Sequence, residues 1–129
     1  MIKDPKNRPL SPHLTIYKPQ LNSMLSIMHR ITGIVLFLGL LLLILWFLTM
    51  ALGQASFNIF NSYMNSSIGR LILFGSLCGL WFHFFTGLRH LFWDFGIGFN
   101  LSWVKRSSYA VIISTILFII LSLIIGVLL

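Results

Sequence analysis

Ile31–Leu52 reads ITGIVLFLGLLLLILWFLTMAL, 22 residues with no charge and almost no polar group. Wound as an α-helix it is roughly 33 Å long, against roughly 30 Å for the hydrocarbon core of a bilayer. It shows no alternation of period two, and a strand here would leave an unpaired edge in lipid. A secretory signal would begin earlier, be shorter and end at a small-residue cleavage site. The stretch therefore reads as a mature membrane-spanning helix.

Two further stretches of this kind flank it downstream. Leu71–Leu88 is bounded by Arg70 and Arg89. At roughly 27 Å it is slightly short, so both arginines are expected to snorkel outward. Ser107–Leu129 carries no charge. The fold class that follows is all-α: an integral membrane protein with three transmembrane helices, over about 23–52, 68–92 and 107–129. Residues 1–22 contain Pro5, Pro9, Pro12 and Pro19, which exclude one regular helix. They are expected to form an extended inner-surface segment, with 23–129 as the transmembrane domain. This beginning is not an Arg- and Ser-rich amphipathic transit peptide.

The charge balance sets the orientation. Lys3, Lys6, Arg8, Lys18 and Arg30 precede the first span, and Arg89, Lys105 and Arg106 separate the second from the third. The first loop has only Arg70, at its edge. The positive-inside rule then places the N-terminus and second loop inside, and the first loop and C-terminus outside. The net charge of +7 invites a nucleic-acid reading, but the basic residues sit at span ends and not on one amphipathic face, so no nucleic-acid partner is expected. Only 9% of residues are charged and 57% are hydrophobic, which excludes an ordinary soluble domain. The single Cys78 permits no disulfide within the chain and reads as a packing residue. Trp46, Trp93 and Trp103 stand near span ends, as interfacial anchors do.

Polar residues inside these spans carry the functional signal. His83 lies six residues from Arg89 and 13 from Arg70, in the inner half of the membrane. At that depth an ionisable side chain is a candidate functional group, and a neutral imidazole between helices is a common haem ligand. A histidine bonded to a neighbouring helix fits as well. His90, seven residues further on, shares the face but lies roughly 10.5 Å along the axis. The two cannot hold one iron from opposite sides. His29 is expected at the depth of His90, so a second axial ligand is expected from a partner protein. His13 reads as a solvated surface residue. Ser26, His29, Arg30 and Gly33 follow the spacing i, i+3, i+4, i+7 of one helix face. That set can bind a carbonyl or a carboxylate, Arg30 through its planar fork; Arg30 as a plain topology charge is the alternative. Gly75 and Gly79 form a small-xxx-small pair suited to close helix packing. Trp81, Phe82, Phe84 and Phe85 surround His83 in sequence and either wall a flat cofactor or face lipid. Three helices make a thin bundle, which again points to a partner membrane subunit.

Two stretches carry a resemblance. One is Arg8-Pro9-Leu10 followed by Ser26-Ile27-Met28-His29-Arg30-Ile31-Thr32-Gly33. The other is His83-Phe84-Phe85-Thr86-Gly87-Leu88-Arg89-His90-Leu91-Phe92-Trp93-Asp94-Phe95-Gly96. In order and over the whole chain, they resemble the cytochrome b membrane-anchor subunit of succinate dehydrogenase, respiratory complex II. The resemblance implies that His83 is an axial ligand of haem b iron, with the other axial histidine from the smaller membrane-anchor subunit. It implies that His29 and Arg30 lie near the haem propionates, that Ser26 and Arg30 help form the ubiquinone site, and that Asp94 stands near the quinone and helps deliver protons. The other implied partners are the iron-sulfur and flavoprotein subunits, making the chain one subunit of an enzyme complex. The opening Arg8-Pro9-Leu10-Ser11-Pro12-His13-Leu14 resembles the alphaproteobacterial and mitochondrial branch. A bacterial inner membrane is the expected location, or the mitochondrial inner membrane for an organelle-encoded chain. A fumarate reductase anchor, a stand-alone cytochrome b and a haem-free structural anchor are the alternatives. A transporter is disfavoured, because three short spans lack paired broken helices.

Overall fold

A computed structural model of the chain describes residues 18–128. Four helices follow one another: α1 (Leu21–Ala51), α2 (Gln54–Asn65), α3 (Ser67–Asp94) and α4 (Leu101–Leu128). Three of them, α1, α3 and α4, are long and apolar enough to cross a membrane. No strand occurs among the described residues. The protein is thus an all-α, three-span membrane protein. Of the extended segment expected over 1–22, residues 1–17, His13 among them, lie outside the described residues. Lys18–Gln20 are non-helical, and Leu21 already opens α1.

The interior is the reverse of a soluble core. Leu25 and Val111 are the buried hydrophobic side chains among the described residues, whereas Thr32, Thr86, Arg89, Ser108 and Thr115 are buried polar ones. The large aliphatic and aromatic side chains face outward along all three long helices. Lipid tails are as apolar as leucine, so expelling leucine from lipid gains little. Close approach through small and hydroxyl residues holds the helices together instead. Thr86 and Ser108 are each 1% exposed, and their hydroxyls donate back to the Phe82 and Val104 carbonyls, so neither brings an unpaired donor into the bundle. Between α1 and α3, Gly33 abuts the ring of His83, Gly39 abuts Ser76 and Gly79 abuts Val35. On the other flank of α3, the Trp81 indole N–H donates to Ser122 Oγ of α4 (2.9 Å), and Trp81 and Phe85 pack on Phe118. These two aromatics therefore join α3 to α4.

Helix α2 has no counterpart among the sequence expectations. Gln54, Asn58, Asn61 and Asn65 form a polar stripe along it, linked by Gln54–Asn58 and Asn61–Asn65 hydrogen bonds. Phe60 and Met64 turn toward α1 and α3. Such a short two-faced helix suits the membrane surface. Gly53 breaks the chain between α1 and α2 with φ +104, a conformation that favours glycine. Ser66 joins α2 to α3 without a gap: its Oγ donates to the Tyr63 carbonyl and caps α3 by accepting from the Gly69 N–H. A Cβ at Gly69 would run into the backbone of Tyr63 and Met64. Gly69→Ala is expected to lower stability by about 1–3 kcal/mol, as overpacking does. Gly75→Ala, where a Cβ meets nothing within 4 Å, serves as control. Thermal unfolding of the purified protein checks this; equal midpoints for the two variants would contradict the close approach.

The α3–α4 connection is short, from Phe95 to Asn100. Arg89, His90 and Asp94 belong to α3, and Lys105 and Arg106 to α4. Helix continues past the hydrocarbon into the interface, because charge alone does not break it. The connection turns at Gly96 and Gly98, both with positive φ, and Asn100 Oδ1 caps α4 by accepting from the Trp103 N–H (2.8 Å).

Candidate functional site

His29, on α1, and His83 and His90, on α3, stack in one column. The rings of His29 and His83 are nearly parallel, 14° apart, with centroids 4.0 Å apart. His90 lies on the other side of His29, with centroids 5.0 Å apart. His29 thus sits between the two α3 histidines and not at the depth of His90. The helix ends explain the correction. His29 is eight residues from the start of α1, while His90 and His83 are four and 11 from the end of α3. At 1.5 Å per residue these depths are roughly 12, 6 and 17 Å. Gly87 faces the column: a Cβ there would lie 3.7 Å from His29 Cε1, in ordinary van der Waals contact.

His83 has a defined tautomer. Its Nδ1 is 3.1 Å from the His29 carbonyl oxygen and 3.2 Å from Thr32 Oγ1. The Thr32 hydroxyl spends its one proton on that same carbonyl (2.9 Å) and offers His83 only lone pairs. Both neighbours of Nδ1 therefore accept, and Nδ1 carries the hydrogen. Nε2 keeps its lone pair. An imidazole pinned at one nitrogen by a backbone carbonyl and free at the other is the arrangement metal-binding histidines use. The residues present fit an iron ligand at His83.

His29 and His83 do not together clasp an iron. Two imidazoles ligating from opposite sides need ring centres roughly 6 Å apart, given metal–nitrogen distances of about 2 Å. Theirs are 4.0 Å apart and face to face. His29 Nδ1 is buried and without a hydrogen-bond partner. Among the described residues no cluster of three or more His, Cys, Asp or Glu can hold a metal.

The face expected to unite Ser26, His29, Arg30 and Gly33 spans about 100° of α1. His29 and Gly33 turn toward α3, with a Gly33 Cβ placed 3.4 Å from His83 Cε1. Arg30 is exposed and Ser26, one turn before it, is half-buried. The 100° between successive helix positions separates neighbours 29 and 30 onto adjacent sides. Asp94 ends α3 and is exposed, one turn beyond His90 on the same face. The sequence reading missed two side chains. Thr32 sits inside the first motif and positions His83. Arg89 is 5% exposed and donates to Asn22 Oδ1 of α1, with its Cζ 4.2 Å from the centroid of the Trp93 ring. It does not snorkel outward, because Asn22 and Trp93 give the guanidinium partners inside the bundle. Arg70, by contrast, is exposed.

Residues 4–122 match the family described as the succinate dehydrogenase/fumarate reductase transmembrane subunit. The chain belongs to that family. It is 41% identical over 114 residues to the succinate dehydrogenase cytochrome b556 subunit of Rickettsia bellii, covering 88% of this chain and 89% of that one. To the cytochrome b556 subunit of Paracoccus denitrificans it is 40% identical over 119 residues, 92% of each. To the cytochrome b560 subunit of Marchantia polymorpha it is 46% identical over 107 residues, 78% of this chain and 77% of that one. Family members are transmembrane subunits of succinate dehydrogenase or fumarate reductase.

Proposed function

We propose that the chain is the large membrane-anchor subunit of a succinate:ubiquinone oxidoreductase, holding haem b with a smaller anchor subunit and forming part of the ubiquinone-reduction site. The observation that carries this reading is the contact of His83 Nδ1 with the His29 carbonyl oxygen, which leaves Nε2 as a ready iron ligand. A second histidine to hold the haem would come from the smaller anchor subunit. The face-to-face stacking of His29 on His83 supports this, because among the described residues it leaves no histidine opposite. His29 and Arg30 serve the propionates. Haem b, when bound, supplies a one-electron redox centre beside the quinone.

The remaining chemistry belongs to this chain's own residues. Flavoprotein and iron-sulfur subunits oxidise succinate to fumarate and pass two electrons to ubiquinone, which takes up two protons. Arg30, exposed on α1, points its fixed charge at a quinone carbonyl oxygen that gains negative charge during reduction. The Ser26 hydroxyl donates to the same region. Asp94, exposed at the end of α3, relays protons from the aqueous side. The complex sits in the bacterial inner membrane, a location supported by bacterial relatives; the liverwort relative keeps the mitochondrial inner membrane as the alternative. The orientation is N-terminus inside, which puts the site on the side of the soluble subunits.

Purification of the tagged chain in mild detergent tests the assignment. Succinate:ubiquinone reductase activity and the partner subunits should co-elute with it. A haem protein eluting without them would point to a stand-alone cytochrome b; fumarate reduction outrunning succinate oxidation would point to a fumarate reductase anchor. A finer test is Thr32→Val, which keeps the shape and removes one acceptor from His83 Nδ1. A less electron-rich imidazole should raise the haem midpoint potential by tens of millivolts, the scale of a hydrogen bond worth about 1 kcal/mol. An unchanged potential would remove Thr32 from the role.

A further inference from the structure

A second polar feature lies apart from the histidine column. Between α3 and α4, at the end of the bundle where they connect, is a cavity of about 330 Å³. It is lined from Phe85 to Ser114, and none of His29, His83, Ser26 or Arg30 touches it. Among the described residues Arg89 and Arg106 line it, and no acidic residue does. Arg89 is 5% exposed, its Nε is buried without a hydrogen-bond partner, and its partner on α1, Asn22, is a neutral amide. A guanidinium this buried at the edge of a membrane calls for a counter-charge.

The two arginines are level. Arg89 stands five residues before the end of α3, and Arg106 five after the start of α4. Trp93 and Trp103 flank them, at the depth where aromatic residues meet headgroups. Deeper in, the lining turns apolar through Phe85, Ala110 and Val111. Cationic at headgroup level and apolar below, the cavity has the polarity profile of one lipid molecule.

We propose that this cavity is a binding site for an anionic phospholipid. Its phosphodiester lies against Arg89 and Arg106, and an acyl chain follows Phe85 and Val111. Basic pockets between transmembrane helices bind such headgroups. Two unpaired cations favour a net-anionic headgroup over a zwitterionic one, whose own cation would be repelled. The lipid neutralises Arg89 and ties α3 to α4, a role independent of haem and quinone.

The test uses the intact complex, delipidated in mild detergent and titrated with dioleoylphosphatidylglycerol, dioleoylphosphatidylcholine or inorganic phosphate. The readout is the thermal unfolding midpoint. Phosphatidylglycerol should raise the midpoint saturably, and the other two should not. In Arg106→Gln, which alters an exposed side chain, half-saturation should move to about fivefold higher phosphatidylglycerol, the effect of one basic residue on an anionic lipid. Arg89→Gln should abolish the response; should that variant fail to assemble, Arg106→Gln decides alone. Equal stabilisation by phosphatidylcholine, the same rise with inorganic phosphate, or an unchanged half-saturation in Arg106→Gln would each overturn the proposal. So would the absence of any lipid response, which would assign the counter-charge of Arg89 to a protein carboxylate.

Discussion

Arg30→Ala should cut ubiquinone reduction by the purified complex on the order of 10²- to 10³-fold, the loss seen when one preorganised donor to a developing oxyanion is removed. Succinate oxidation measured with a soluble artificial acceptor should stay near normal, because the flavin and iron-sulfur centres are untouched. The side chain is exposed on α1, so its removal opens no hole in the bundle. Arg30→Lys keeps the charge and loses the planar fork, and should recover only part of the rate. Quinone reduction at the normal rate in Arg30→Ala would remove Arg30 from the site. A parallel loss with the artificial acceptor would instead mean that the variant fails to assemble.

His83→Ala has the larger spectroscopic consequence. It removes the one imidazole whose Nδ1 is pinned and whose Nε2 is free, so the low-spin haem b signal should disappear from the complex. The substitution also takes away the ring stacked on His29 and the donor to its carbonyl. His29→Ala is therefore the informative partner. It should leave a low-spin spectrum, because His29 is not proposed as an iron ligand and its backbone carbonyl, which holds His83, remains. An unaltered spectrum in His83→Ala would exclude it as the ligand. Loss in His29→Ala with retention in His83→Ala would reverse the assignment.

The sequence makes the three long helices plain because lipid imposes two demands that any reader can check: enough length to cross, and few charges along the way. Leucine-rich α1 and isoleucine-rich α4 meet both with nothing to balance against them. Helix α2 escaped notice because it is short and amphipathic within a charge-free stretch. Its signal was nonetheless present in the spacing of Gln54, Asn58, Asn61 and Asn65. Arg89 was misjudged for a different reason. A charge at a span end marks topology whether it faces water or a neighbouring helix, and only the packing of α1 and Trp93 against it distinguishes the two. His29 was set at the wrong depth because span ends read from hydropathy fall short of the true helix ends by several residues. Thr32 carried no signal of its own. Its role depends on α3 bringing His83 within reach of its hydroxyl, a contact across 51 positions of sequence.

His83 is proposed to offer one side of a haem whose other side belongs to a partner subunit. The reduced-minus-oxidised spectrum of the intact complex, compared with that of the chain expressed and purified without its smaller partner, tests it most directly. A low-spin b-type spectrum is expected from the complex and none from the chain alone. A complex without haem, or a lone chain with the full low-spin spectrum, would contradict it.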